Sequence, residues 1–389
     1  MCKKERIRMK VLMQARVELF DTGGGDKIQI ENTARELKKL GIDVEIVAGN
    51  VSNYNSYDLV HLFQLDWTPD PSMYAETIKS SGKPLVFSPI HHSISEVKLF
   101  DETYAFDFRR LSKAVFKDQF KRDTLKNVYK SLFMPKKIYP TVQSLRFGLF
   151  NIQKKALSLS DYILVQTELE AHDLKTSYGV DFKWKKIPNG VSDLFIDSAG
   201  YDKEQIMPKA LQDMEDYILC VGRVEARKNQ LSIIDAVKSA REETGKDLRL
   251  VFVGKKSKLK HQEYIIRFNL ALKRYSWITF VNQVPYEQMP AVYRKAKVCV
   301  SASWFETTGL TSIEALFCGS NAVASGERAR EYLGDLVSYC SPNDIRSIKN
   351  AVVEQYFADR PKVPSFMLRE YTWQNAAHKI FDVYNELLK

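Results

Sequence analysis

Tyr217-Ile218-Leu219-Cys220-Val221-Gly222-Arg223 is a run of five apolar residues that stops on a glycine and an arginine. Five residues suit a strand and are too few for a helix, and the lack of polar alternation marks a strand covered on both faces. The runs Leu248–Val253, which ends on Gly254, Ile278–Val281 and Val298–Ser301 have the same character. Helical periodicity fills Leu231–Thr244 and Thr311–Phe317. Strands that alternate with helices predict a parallel sheet assembled from βαβ units. Working outward, the same alternation precedes this stretch: Val11–Ala15, a helix over Ile28–Leu40 stopped by Gly41, then Val44–Val47, Leu59–Leu62, Leu85–Phe87 and Tyr162–Val165. Pro188-Asn189-Gly190 and the polar Ser198–Lys209 separate the two series. The expectation is an α/β chain of two Rossmann-like domains, residues 1–197 and 198–370, facing each other across a cleft. Ligands then bind at the carboxyl ends of the strands. The final stretch, Tyr371 to Lys389, reads as an amphipathic helix that crosses back onto the first domain.

Composition narrows the class. The 389 residues are 44% hydrophobic and 27% charged, a globular profile with enough chain for two cores. No apolar run approaches the roughly 20 residues of a membrane-spanning helix, and the short run Val11-Leu12-Met13 is not a secretory signal. The expected location is cytoplasmic. Five scattered cysteines, without a C-x-x-C pair, read as buried thiols. The net charge of +10 favours polyanionic neighbours, including phosphorylated substrates.

Four constellations carry chemistry. Thr22-Gly23-Gly24-Gly25-Asp26 follows the first strand and leads into a helix, so a ligand can approach bare backbone there; the alternative is a flexible turn. Gly222-Arg223 with Lys228-Asn229 sets two cations over a strand end, suited to a diphosphate; the alternative is a solvated loop. Glu306-Thr307-Thr308-Gly309-Leu310-Thr311-Ser312-Ile313-Glu314 places two carboxylates around a glycine turn at a helix start. The backbone N–H groups of Gly309–Thr311 suit phosphate, and Glu306 and Glu314 suit sugar or ribose hydroxyls. Thr311 and Glu314 also have capping-box spacing, which would place Glu314 in the first helical turn. His91-His92 lies just past a strand, where an imidazole can orient a sugar. His61, inside an apolar strand, reads as structural. With no G-x-S-x-G elbow, no H-E-x-x-H and no D-x-D pair, neither a serine nucleophile nor an obligatory metal is expected.

In this order the pieces resemble retaining glycosyltransferase family 4, which has the GT-B fold. The resemblance rests on Gly23–Gly25, Ile187-Pro188-Asn189-Gly190-Val191, Gly222-Arg223-Val224 with Lys228-Asn229, and Glu306 through Glu314 with Ala315, Cys318 and Gly319. It implies a nucleoside diphosphate sugar as donor and a glycan or lipid-linked acceptor, with anomeric configuration retained. It implies that Arg223 and Lys228 bind the diphosphate, with Gly222, Gly24 and Gly25 close to the donor. Glu306 and the amides of Gly309, Leu310 and Thr311 would meet the sugar and phosphate, and Glu314 the ribose. Val284, at the end of Val281–Val284, would flank the base, and His91 or His92 would stand near the transferred sugar. Departures are His91-His92 where the family often has His-Asp, Thr308, and Ser320-Asn321. The other readings are a GT-B epimerase and a non-catalytic nucleotide-sugar-binding or scaffold subunit.

Residues 109–155 are rich in cations, with Phe116, Phe120, Tyr129, Leu132, Phe133, Phe147 and Phe150 among them. A basic, aromatic helical stretch suits an anionic membrane surface, here the inner face of the plasma membrane; the alternative is a solvated insertion with ordinary core aromatics. No nucleic-acid motif accompanies the charge.

Overall fold

The structure is a computed structural model that describes residues 9–22, 24–103, 119–197, 207–257 and 261–389. The chain divides into two compact units. The first comprises Met1–His91, Ser112–Gly190 and Trp373–Lys389, the second His92–Leu111 and Val191–Thr372.

The first unit is built on a parallel sheet of β1 (Lys10–Ala15), β2 (Asp43–Ala48), β3 (Leu59–Phe63), β4 (Leu85–Ser88), β5 (Tyr162–Val165) and β6 (Trp184–Lys186), in the order β2-β1-β3-β4-β5-β6. The two-residue period of a strand divides β1 between two cores. Val11, Met13 and Ala15 pack with Ile30, Ala34 and Leu37 of helix Gly25–Lys39, while Leu12 joins Val60, Leu62, Leu85 and Phe87 on the other face. Helix Trp373–Leu387 covers the first of these faces with Ala376, Ala377, Ile380, Val383 and Tyr384. Its Tyr384 hydroxyl is 2.7 Å from His61 Nδ1, and Ser88 Oγ is 2.8 Å from His61 Nε2. His61 is therefore a satisfied core residue, and burial lowers its pKa to about 3, which keeps it neutral.

The second unit repeats the plan with β7 (Tyr217–Val221), β8 (Leu250–Val253), β9 (Ile278–Val281), β10 (Ala296–Val300), β11 (Asn321–Ser325) and β12 (Ser338–Cys340). Its order is β12-β11-β10-β7-β8-β9, again all parallel. Strands β6, β11 and β12 have no counterpart in the sequence expectation. Trp184-Lys185-Lys186 is too short and too basic to stand out, and Asn321 and Ser338 disguise the starts of two buried strands. The run from Leu248 becomes a strand only at Leu250. Cys220, Cys299, Cys318 and Cys340 are buried thiols.

The basic stretch resolves into helices Gln119–Ser131, Ile138–Phe147 and Leu149–Leu159; residues 109–118, with Phe116, lie outside the described residues. Its aromatics divide. Phe120 and Phe150 pack with Tyr178 into the core, whereas Tyr129, Leu132, Phe133 and Phe147 are exposed.

Candidate functional site

In the second sheet the chain runs outward from β7 to β9 and then returns to the other side of β7 as β10. The crossovers after β7 and β10 therefore leave toward opposite sides, which sets a topological switch point at the carboxyl ends of these two neighbours, the usual ligand position in such sheets. Residues 222–229 form one wall and residues 301–309 the other.

The first wall begins at Gly222, with φ 146°, and at Gly254, with φ 152°, which ends β8 beside it. A Cβ on Gly254 would lie 1.9 Å from the Gly222 carbonyl oxygen, so only glycine permits this approach. The turn Ala226–Lys228 follows, and Asn229 takes a left-handed conformation (φ 58°, ψ 30°) before helix Gln230–Thr244. Lys228 lays its aliphatic chain against Gly222 and pairs its ammonium with Glu306 Oε1. Arg223 points to solvent with 62% of its side chain exposed, 4.0 Å from Glu225.

On the second wall, Glu306 is gripped from two sides, since Arg227 Nη1 lies 3.2 Å from its Oε2. Burial acts to raise the Glu306 carboxyl, but Lys228 and Arg227 outweigh it and hold the group well below the usual carboxylate range. Gly309 starts helix Leu310–Phe317 in a left-handed conformation (φ 53°, ψ 50°), with no side-chain cap. The capping box is thus absent. Glu314 falls one residue beyond the first turn, and its Oε2 accepts a 2.7 Å hydrogen bond from the Tyr293 hydroxyl. Burial pushes the Glu314 carboxyl up to about 7 against the pull of that bond. Tyr293 belongs to the same buried cluster as Val284, Cys299 and Ile313.

The remaining candidates sit elsewhere. Gly24 precedes helix Gly25–Lys39 in the first unit with φ 134°, and Arg16 Nε pairs with Asp26 at 2.6 Å beside it; Gly23 lies outside the described residues. His91, in the first unit, is buried. Its Nδ1 is 2.5 Å from Asp66 Oδ1, and its backbone N–H donates to Glu170 at 2.8 Å. His92 belongs to the second unit, its ring set edge-on to Phe305 with centroids 5.3 Å apart. The structure therefore brings together Gly222, Lys228, Glu306 and Gly309, adds Arg227 and Tyr293, which the sequence reading missed, and leaves Arg223 extended. Arg227 was hidden as one of three cations in a polar turn, and only its tertiary partners distinguish it.

Part of the sequence and the whole fold resemble known proteins. Residues 202–363 match the family of glycosyl transferases group 1. O-antigen chain mannosyltransferase B of Escherichia coli is 25% identical over 181 residues, 44% of this chain and 46% of the relative. A D-inositol 3-phosphate glycosyltransferase of Nocardia farcinica is 27% identical over 177 residues, 44% and 39% of the two chains. The matched stretch thus spans less than half the length of these curated relatives. Over nearly the whole chain the fold is that of sucrose-phosphate synthase from Thermosynechococcus elongatus (TM-score 0.71, 17% identity, 98% of this chain and 99% of that one). It is also that of Anabaena HepE, solved with UDP and glucose (TM-score 0.63, 13% identity, 97% and 100%). On a GT-B fold, residues 202–363, with the β7 and β10 loops and both glutamates, are the part of the chain that resembles the glycosyl transferases group 1 family.

Proposed function

We propose that the chain is a retaining glycosyltransferase that moves a hexose or related sugar from a nucleoside diphosphate sugar to a glycan or lipid-linked hydroxyl, in glycan biosynthesis. The observation that carries this reading is the meeting of Lys228 and Glu306 at the switch point between β7 and β10, beside the bare backbone of Gly222 and Gly309. Lys228, with Arg223 swinging in from solvent, neutralises the diphosphate and stabilises the charge left on the departing nucleotide. Backbone amides of Gly309, Leu310 and Thr311 add donors, Glu306 accepts from sugar hydroxyls, and Glu314 accepts from the ribose beside a base flanked by Val284. No metal is assigned to the diphosphate. His92, next to Phe305, stands on the donor side. His91, oriented by Asp66, serves with Gly24 and Gly25 in the first unit. The acceptor hydroxyl attacks from the face the nucleotide leaves, which retains configuration.

The same reading sets the enzyme on the cytoplasmic face of an anionic membrane. No helix among the described residues is long and apolar enough to cross a bilayer. Helices Gln119–Ser131 and Ile138–Phe147 and the link between them, however, expose Leu132 (74%), Phe133 (70%) and Tyr139 (66%) in a stretch that carries Lys126, Lys136 and Arg146. Apolar side chains ringed by cations favour the boundary between headgroups and acyl chains.

Donor hydrolysis and transfer, followed as release of nucleoside diphosphate from UDP-, GDP- and ADP-sugars, test the site. Wild type is expected to use one series, and Glu306→Ala to lose turnover while still binding the nucleoside diphosphate. Turnover by Glu306→Ala at the wild-type rate would refute the assignment.

A further inference from the structure

Arg227 takes more contacts than any phosphate-seeking cation requires. Its Nε and Nη2 donate to Glu225 Oε1 at 3.2 and 3.1 Å, and its Nη1 donates to the Phe305 carbonyl at 3.2 Å and faces Glu306 Oε2 at the same distance. Its guanidinium carbon stands 5.5 Å from the centre of the Phe305 ring. The backbone returns the grip: Trp304 N–H donates to the Arg227 carbonyl at 2.9 Å. The turn after β7 and the loop after β10 are thereby clamped in both directions by one residue. Only a planar fork with several fixed donors can serve Glu225, a carbonyl and Glu306 at once.

We infer that Arg227 is a positioning residue that keeps Glu306 fixed and ionised while Lys228 is handed over to the donor diphosphate, and that it couples the phosphate turn to the sugar loop. The inference rests on the proposed roles of Lys228 and Glu306. Each Glu306 oxygen has one cation, Oε1 with Lys228 and Oε2 with Arg227. A diphosphate that takes Lys228 leaves Oε1 to accept from a sugar hydroxyl. Oε2 stays with Arg227, which Glu225 and the Phe305 carbonyl hold back from the phosphate. The other groups facing Glu306 are Ser303 on its own loop and Tyr332 from helix Glu327–Leu333. Arg328 and Glu96 line the same cavity.

The test uses Arg227→Gln, Arg227→Lys, Glu306→Gln and the double variant Arg227→Gln/Glu306→Gln. In Arg227→Gln, Glu306 keeps Lys228 to itself. Donor hydrolysis is expected to fall at least tenfold, the acid limb of its pH profile to move up by a unit or more, and nucleoside diphosphate binding to weaken several-fold. The double variant is expected to bind nucleoside diphosphate as tightly as Glu306→Gln alone, because the competitor for Lys228 is gone. Arg227→Lys restores the acid limb without the full rate. An unmoved pH profile, or binding losses that simply add in the double variant, would overturn the inference. Thermal unfolding of the wild type, Arg227→Gln, Glu306→Gln and the double variant at pH 7 needs no ligand and is expected to show non-additive losses at positions 227 and 306; additive losses count against the coupling. If the wild type binds none of UDP, GDP and ADP, the proposed function fails, while the unfolding cycle still decides whether Arg227 acts through Glu306.

Discussion

Glu314 carries the most distinctive charge state in the second unit. A carboxyl held at about 7 by burial is half protonated at neutral pH, and its ionised form is the stronger acceptor for the ribose hydroxyls proposed to meet it. Nucleotide affinity is therefore expected to rise between pH 6 and pH 8, as calorimetric titration across that range would show. Tyr293→Phe removes the 2.7 Å bond that favours the carboxylate, so the midpoint is expected to move to higher pH. An unshifted midpoint would mean that the Tyr293 hydroxyl does not govern Glu314. At Gly254 the constraint is steric. A methyl group set 1.9 Å from the Gly222 carbonyl, on a backbone with φ 152°, forces both strand ends apart. Gly254→Ala is expected to cost at least about 3 kcal/mol, read as a lowered denaturation midpoint. Lys228, Glu306 and Glu314 stood out as candidates in the sequence because their types are chemically committed, and the structure pairs Lys228 with Glu306. Residue chemistry was illegible where a role comes from a partner distant in sequence: Arg227 depends on Phe305, and Tyr293 on Glu314, 21 positions away.

At the scale of elements, helix Trp373–Leu387 lends the first unit part of its core, although all of Val191–Thr372 separates it from the unit's other segments. Tyr384→Phe leaves a buried His61 nitrogen without its partner and is expected to cost about 1–3 kcal/mol, measured by denaturant unfolding. An unchanged midpoint would show that the His61–Tyr384 bond adds nothing to stability. The apolar hairpin of Gln119–Ser131 and Ile138–Phe147 makes a separate prediction. The wild type is expected to co-sediment with anionic vesicles at low salt, and Leu132→Ser/Phe133→Ser to lose most of that binding while keeping donor hydrolysis in solution. Equal sedimentation of both proteins would remove the hairpin as a membrane contact. Strands with unbroken apolar runs, such as β5 and β7, were readable to the residue, because burial on both faces leaves a plain signature. Strands β6, β11 and β12 were not, since short strands that begin on polar residues lack it.

For the whole molecule, buried groups fix how stability responds to acid. His61 is held neutral with its pKa lowered to about 3, whereas an unfolded histidine titrates near its ordinary 6.5. The unfolded chain therefore takes up protons first, and this contribution to stability, complete above about pH 6.5, is lost as pH falls toward 3. Glu306, held below the carboxylate range, adds a loss below about pH 4.5. Glu314, raised to about 7, acts in the opposite sense, because the folded chain takes up its proton first between pH 7 and pH 4.5. The His61 contribution is therefore read as a difference: from pH 6.5 to pH 4 the melting temperature of the wild type is expected to fall relative to that of His61→Gln. The central claim is that the crevice between β7 and β10 is a nucleoside diphosphate sugar site, and Lys228 tests it most directly. Calorimetric titration of UDP, GDP and ADP into wild type and Lys228→Ala is expected to show one nucleotide bound by the wild type, with affinity lowered at least tenfold in the variant. Equal affinity in both proteins, or no binding of any of the three to the wild type, would contradict the account.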